Sequence, residues 1–138
     1  SDMPFVKKTD DADKSEFSVP SGICEVISSD TNKRSFRLEL IPDCTIYKAH
    51  FPGKPITPGV CIIQMASELL SLLMKREMAL TTVSNAKFLS IINPLETKNI
   101  TFTFRKISDG PDNSINVSAT ITEKDMVFSR LSLIYRCK

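Results

Sequence analysis

Thr57-Pro58-Gly59-Val60-Cys61-Ile62-Ile63-Gln64-Met65-Ala66-Ser67-Glu68-Leu69-Leu70-Ser71-Leu72-Leu73-Met74-Lys75-Arg76 decides the fold. From Val60 to Met74 the run is apolar, interrupted by Gln64, Ser67, Glu68 and Ser71. Thr57-Pro58 reads as an N-cap followed by proline at the first helical position. Lys75 and Arg76 suit a last turn, where cations meet the negative end of the helix dipole. This spacing predicts one long helix ending near Arg76. It is greasy on nearly every side, so most of its surface needs cover. The flanking segments read as strands. A curved antiparallel β-sheet wrapped around one central α-helix supplies the cover, which makes the chain α+β.

Upstream, Ile23 to Ile27 reads as a short strand. Ser28-Ser29-Asp30-Thr31-Asn32 is turn chemistry, and Phe36, Leu38 and Leu40 alternate with Arg37 and Glu39 as a half-buried strand. The two make a hairpin, and residues 42–57 form a loop. Downstream, Val83 to Ile92 is predicted as one strand, ended by Asn93-Pro94. Ile100, Phe102 and Phe104 lie on a second strand. Ser108-Asp109-Gly110-Pro111-Asp112-Asn113 is a turn. Ile115, Val117, Ala119 and Ile121 lie on a third strand, and Met126 to Tyr135 on a last one. The apolar parity shifts between Phe128 and Leu131, which predicts a bulge there. Residues 1–18 are polar and read as a flexible arm, with one domain over 19–138.

The chain has 138 residues, 41% hydrophobic and 25% charged, with a net charge of +2. That suits one globular domain. Positive charge is scattered and Trp is absent, so neither a basic stripe nor a stacking platform argues for nucleic acid. Cys24, Cys44, Cys61 and Cys137 are widely spaced with no C-x-x-C pair, which disfavours a disulfide framework. One histidine and no cysteine cluster argue against a zinc site. The sequons at Asn99 and Asn116 fall in strand-like segments without a signal peptide and read as chance. The longest apolar segment is too short to span a bilayer. The expectation is a cytoplasmic protein with no metal.

The polar helix residues Gln64, Ser67, Glu68 and Ser71 follow i, i+3, i+4, i+7 spacing and share one face. That face is either the solvent stripe of an ordinary amphipathic helix or the lining of a cavity or subunit interface. The opposite faces, with Val60, Ile63, Leu70, Leu72, Leu73 and Met74, are expected to pack on the sheet. His50, the only histidine, opens a loop containing Pro52, Pro55 and Pro58. It is either a surface or capping residue, or a base held by a stiff loop. The first helix amides, including that of Gly59, lack intrahelical partners and could hold a carbonyl oxygen as it gains charge.

His50-Phe51-Pro52-Gly53-Lys54-Pro55 followed by Pro58-Gly59-Val60 resembles the (3R)-hydroxyacyl-acyl carrier protein dehydratases of the hotdog fold. Ala86-Lys87-Phe88 and Asn93-Pro94-Leu95 are a looser echo. The resemblance implies that His50 removes the α-proton of a 3-hydroxyacyl thioester. It also implies that the Gly59 amide polarises the thioester carbonyl, and that an acid on the helix protonates the leaving hydroxyl. The site would form between two subunits of a homodimer or trimer of dimers. The acyl chain would lie in an apolar tunnel, for which Phe51, Val60, Ile62, Met65 and Phe88 are candidates. The thioester would arrive on the phosphopantetheine of acyl carrier protein, with no other cofactor. The chain departs from the family in two places. The family's acidic position is Gln64, which cannot donate a proton with a useful pKa, although Glu68 lies one turn later on the same face. The Pro-rich apolar N-terminal segment of the family is not evident in residues 1–18. A non-catalytic acyl-thioester-binding subunit is the alternative, and a hotdog thioesterase ranks third.

Overall fold

The computed structural model describes residues 17, 18, 20–44 and 56–138. Among the described residues, seven antiparallel strands form one sheet with one long α-helix. The elements are β1 Phe17–Ser18, β2 Cys24–Asp30, β3 Ser35–Leu40, α1 Gly59–Met74, β4 Met78–Phe88, β5 Asn99–Asp109, β6 Ser114–Glu123 and β7 Met126–Cys137. The spatial order is β1-β2-β3-β5-β6-β7-β4. The chain leaves the sheet after β3, forms α1, and returns at the far edge as β4. Phe17 and Ser18 pair with Val26 and Glu25, and the rest of the expected arm, residues 1–16, lies outside the described residues.

Period-two patterning places the core. Phe36, Leu38 and Leu40 of β3 are buried on the same face as Ile100, Phe102 and Phe104 of β5. Ile115, Val117, Ala119 and Ile121 of β6 continue it, with Leu131, Leu133 and Tyr135 of β7. Cys61, Ile62, Met65, Ala66, Leu69 and Leu70 of α1 join the same cluster. The predicted bulge is present. Ile121 pairs with Ser129 and Thr122 with Val127, leaving Phe128 as the extra residue. Both Phe128 and Ser129 are thereby buried. Other register shifts interrupt β2, β4 and β5, and such bulges bend a sheet.

Several boundaries differ from the sequence reading. The helix starts at Gly59, with Pro58 as N-cap at φ −64°, ψ 152° and no side-chain cap. Thr57 does not cap it. The Thr57 amide donates to the Ile92 carbonyl at 2.8 Å, which holds that residue in the loop. The helix ends at Met74 because Lys75 turns left-handed at φ 60°. The Lys75 and Arg76 amides then close on the Leu72 and Ser71 carbonyls, so neither cation lies in the last turn. The strand expected over Val83–Ile92 is Met78–Phe88. Ser71 Oγ accepts from the Met78 amide, and pairing with β7 begins at once. The ladder stops where the Leu89 and Ser90 amides both turn to the Phe128 carbonyl. Val60 does not pack on the sheet and is 67% exposed. It lies four residues before Gln64, so helical periodicity puts it on the polar face.

On the outer face, Arg37 bridges β3 to β6. It donates to both carboxylate oxygens of Glu123, at 2.6 and 3.2 Å, and to Thr101 Oγ1 at 2.9 Å. The Arg37 hydrogen bond holds the Glu123 carboxyl below its ordinary value of 4.5. A lowered folded-state value stabilises the fold above the unfolded value, and the gain is lost as pH falls through the lowered one. Glu123→Gln is therefore expected to cost about 0.5–1 kcal/mol at pH 7, the range of a partly exposed bidentate pair. The difference should close as the pH drops below 4.5, read by urea unfolding at several pH values.

Candidate functional site

The start of α1 is built from Pro58 and Gly59. Proline has no N–H, and the Cys61 and Ile62 amides already bond the Pro58 carbonyl, at 2.9 and 3.2 Å. The amides of Gly59 and Val60 have no intrahelical acceptor by position, and they carry the positive end of the dipole. The ring of Phe88, at the end of β4, sits against Gly59. A Cβ on Gly59 would lie 2.7 Å from Phe88 Cζ and 2.8 Å from Cε2. Glycine at 59 therefore makes room for an aromatic ring of its own chain. That ring remains 47% exposed, beside exposed Leu89 and Ile91.

Gly59→Ala is expected to shift the ring rather than the backbone, since the crowded atoms are the tip of a half-exposed side chain. Alanine's better helix propensity opposes the crowding, so stability should change by no more than about 1 kcal/mol. Any activity that depends on the helix start should fall well beyond that change. Thermal unfolding run beside an activity assay separates the two.

The polar face of α1 is tied to three other parts of the fold. Ser67 Oγ contacts Tyr135 Oη at 3.0 Å and donates to the Ile63 carbonyl at 3.2 Å. Ser71 Oγ accepts from the Met78 amide at 3.1 Å. Both oxygens of Glu68 are used: Oε2 accepts from the Ser21 amide at 3.0 Å, and Oε1 from Ser21 Oγ at 2.8 Å. Gln64 Nε2 donates to Glu68 Oε2 at 3.2 Å. Gln64 itself is exposed. The face lines a groove of about 440 Å³ shared with Pro20, Met78 and Lys138. The stripe is thus the wall of a groove rather than a plain solvent face. A larger groove of about 730 Å³ opens among Met74, Arg76, Asp109 and Arg136 at the other end of the helix. It lies about 22 Å of helix rise from Gly59, too far to share its chemistry.

The structure therefore brings Gly59, Val60 and Phe88 together at the helix start, and Gln64 with Glu68 about one and two turns along. Ile62 and Met65 are 2% and 0% exposed and lie in the core cluster. His50 and Phe51 lie outside the described residues. Sequence reading missed Ser21 and Tyr135 as partners of the stripe, since their contacts span 47 and 68 residues and no local pattern marks them. The four cysteines are free thiols. Burial, then Glu68, pushes the Cys24 thiol up to about 12. Burial, then Cys44, raises Cys61. Both stay protonated at neutral pH and are poor nucleophiles. Among the described residues no cluster of His, Cys, Asp and Glu could hold a metal, and no helix is long and apolar enough to cross a membrane.

Comparison with known proteins agrees with this architecture. A 3-hydroxyacyl-acyl-carrier-protein dehydratase, FabZ, from Rickettsia rickettsii is 32% identical over 62 residues, 39% of this chain and 43% of the relative. The Rickettsia canadensis FabZ is 31% identical over the same shares. The chain thus spans less than half the length of the curated relatives it matches. Among solved structures, the dehydratase heterocomplex ApeI:P from Xenorhabdus doucetiae superposes with a TM-score of 0.52 at 16% identity, covering 77% of this chain and 89% of that one. A phenylacetic acid degradation-related protein from Ralstonia eutropha gives 0.55 at 10% identity, covering 81% and 83%. These likenesses show the hotdog fold. Residues 26–129 match the model of the ApeI-like family, described as ApeI dehydratase, and the chain belongs to that family.

Proposed function

We propose that the protein dehydrates, and reversibly hydrates, a (3R)-3-hydroxyacyl thioester carried on acyl carrier protein, giving the trans-2-enoyl thioester in fatty-acid-type biosynthesis. The observation that carries this reading is the helix start. There, two amides without intrahelical acceptors, at Gly59 and Val60, stand beside exposed apolar side chains and follow the His50-Phe51-Pro52-Gly53 run in sequence. Those amides suit a thioester oxygen that gains charge as the α-proton leaves. Val60 and Phe88 suit the adjoining acyl chain, with buried Ile62 and Met65 behind them and Phe51 proposed from the sequence alone.

His50 takes the proton from C2, the C3–O bond breaks, and the double bond forms between C2 and C3. The hydroxyl needs a proton to leave as water. Gln64 holds a hydroxyl but has no proton to give. Both Glu68 oxygens accept from Ser21, so donation by Glu68 would first require that contact to open. The balance closes with His50 alone: the proton removed from C2 departs in the water. In this reading two copies complete the site. Among the described residues β4, 11 residues long, is an edge strand with no strand on its outer side, which suits pairing with a second copy.

A second reading, a non-catalytic acyl-thioester-binding subunit, is favoured by Gln64 at the acid position. The similarity to a protein described as a dehydratase heterocomplex fits a mixed assembly. Product analysis with the acyl-carrier-protein thioester separates the readings. Enoyl thioester supports the dehydratase, binding without turnover the partner subunit, and free acid a thioesterase.

A further inference from the structure

Glu68 is the most connected side chain on the polar face of α1. Its carboxylate has only acceptors to offer, so the neighbouring Gln64 amide must present its NH₂ to it. The Gln64 Nε2 to Glu68 Oε2 distance of 3.2 Å fits that orientation. Ser21 keeps the carboxylate from turning away, with its amide on Oε2 and its hydroxyl on Oε1. Gln64 Oε1 is then turned away from Glu68 on an exposed side chain.

We propose that Glu68 is a positioning residue, one that fixes the Gln64 amide so that its carbonyl oxygen faces the ligand and accepts a hydrogen bond from a hydroxyl on the acyl chain. The inference rests on the acyl-thioester reading above. It adds a specificity: the helix offers an acceptor, which suits a 3-hydroxyacyl group and has nothing for an enoyl or saturated chain. Glu68 acts through Gln64 and does not touch the reacting atoms.

The test uses ligands that cannot eliminate: a (3R)-3-hydroxyacyl pantetheine amide and the matching acyl amide without the hydroxyl. Calorimetric titration of the full chain should show the hydroxylated ligand bound about three- to tenfold more tightly, the yield of one hydrogen bond. That preference should vanish in Gln64→Ala. It should weaken in Glu68→Gln, where either end of the Gln64 amide finds a partner. It should persist in Ser21→Ala, which leaves the Gln64 contact in place. A preference that survives Glu68→Gln, with both affinities falling equally, would make Glu68 a plain anchor and overturn the proposal. Equal binding of the two ligands by the wild-type chain would also overturn it, while the acyl-thioester reading stood. If neither ligand bound at any chain length, that reading would fail and the proposal with it.

Discussion

Gln64→Glu should speed elimination about 10²-fold or more, within the 10²- to 10⁴-fold range that a positioned general acid supplies. The substitution supplies the acid that the resemblance to the acyl carrier protein dehydratases implies at this position. It also sets a second carboxyl where Gln64 Nε2 now lies 3.2 Å from Glu68. Like charges that close on one helix face disfavour ionising both carboxyls at once. A general acid acts only while it holds its proton, so the gain should grow as the pH falls and fade as it rises. Rate–pH profiles of the two proteins provide the check. A Gln64→Glu chain no faster at any pH would mean that the hydroxyl already receives its proton from a group other than residue 64.

Phe104→Ala should cost about 3–5 kcal/mol and lower the melting temperature by roughly 10 °C or more. Phe104 is fully buried in β5, inside the sheet rather than at an edge. Its ring meets Phe36 edge-on at 6.1 Å and Phe102 at 5.3 Å, contacts that add to simple burial. Its cross-strand partner on β6 is Ala119, too short to move into the space a lost ring would leave. Phe104→Leu keeps part of the volume and should cost clearly less. Denaturant unfolding of both variants checks the order. Equal costs would mean that the neighbouring strands collapse onto the site.

The strands were legible because their apolar residues alternate cleanly, as in β3, β5 and β6. The bulge was legible because Phe128 breaks that alternation. Helix and strand ends were harder, since partners distant in sequence set them. Thr57 is held in the loop by Ile92, and β4 starts early because Cys137 awaits Met78. Val60 lies on the polar face despite its apolar character, because its four-residue spacing from Gln64 sets its side of the helix. The stripe itself was readable from spacing, and its partners Ser21 and Tyr135 were not. Gly59 was legible only as a helix-start amide, and no local pattern marks the Phe88 ring, 29 residues on, that its missing side chain accommodates.

In the proposed reaction His50 works with the amides at the start of α1 to eliminate water from a 3-hydroxyacyl thioester. The most direct test is the rate of enoyl-thioester formation from a (3R)-3-hydroxyacyl thioester on acyl carrier protein, wild type against His50→Ala. Enoyl product is expected from the wild type, with a fall of about 10²- to 10⁴-fold in the variant, the share a general base contributes. Equal rates in the two proteins, or an absence of enoyl product from the wild type across chain lengths, would contradict it.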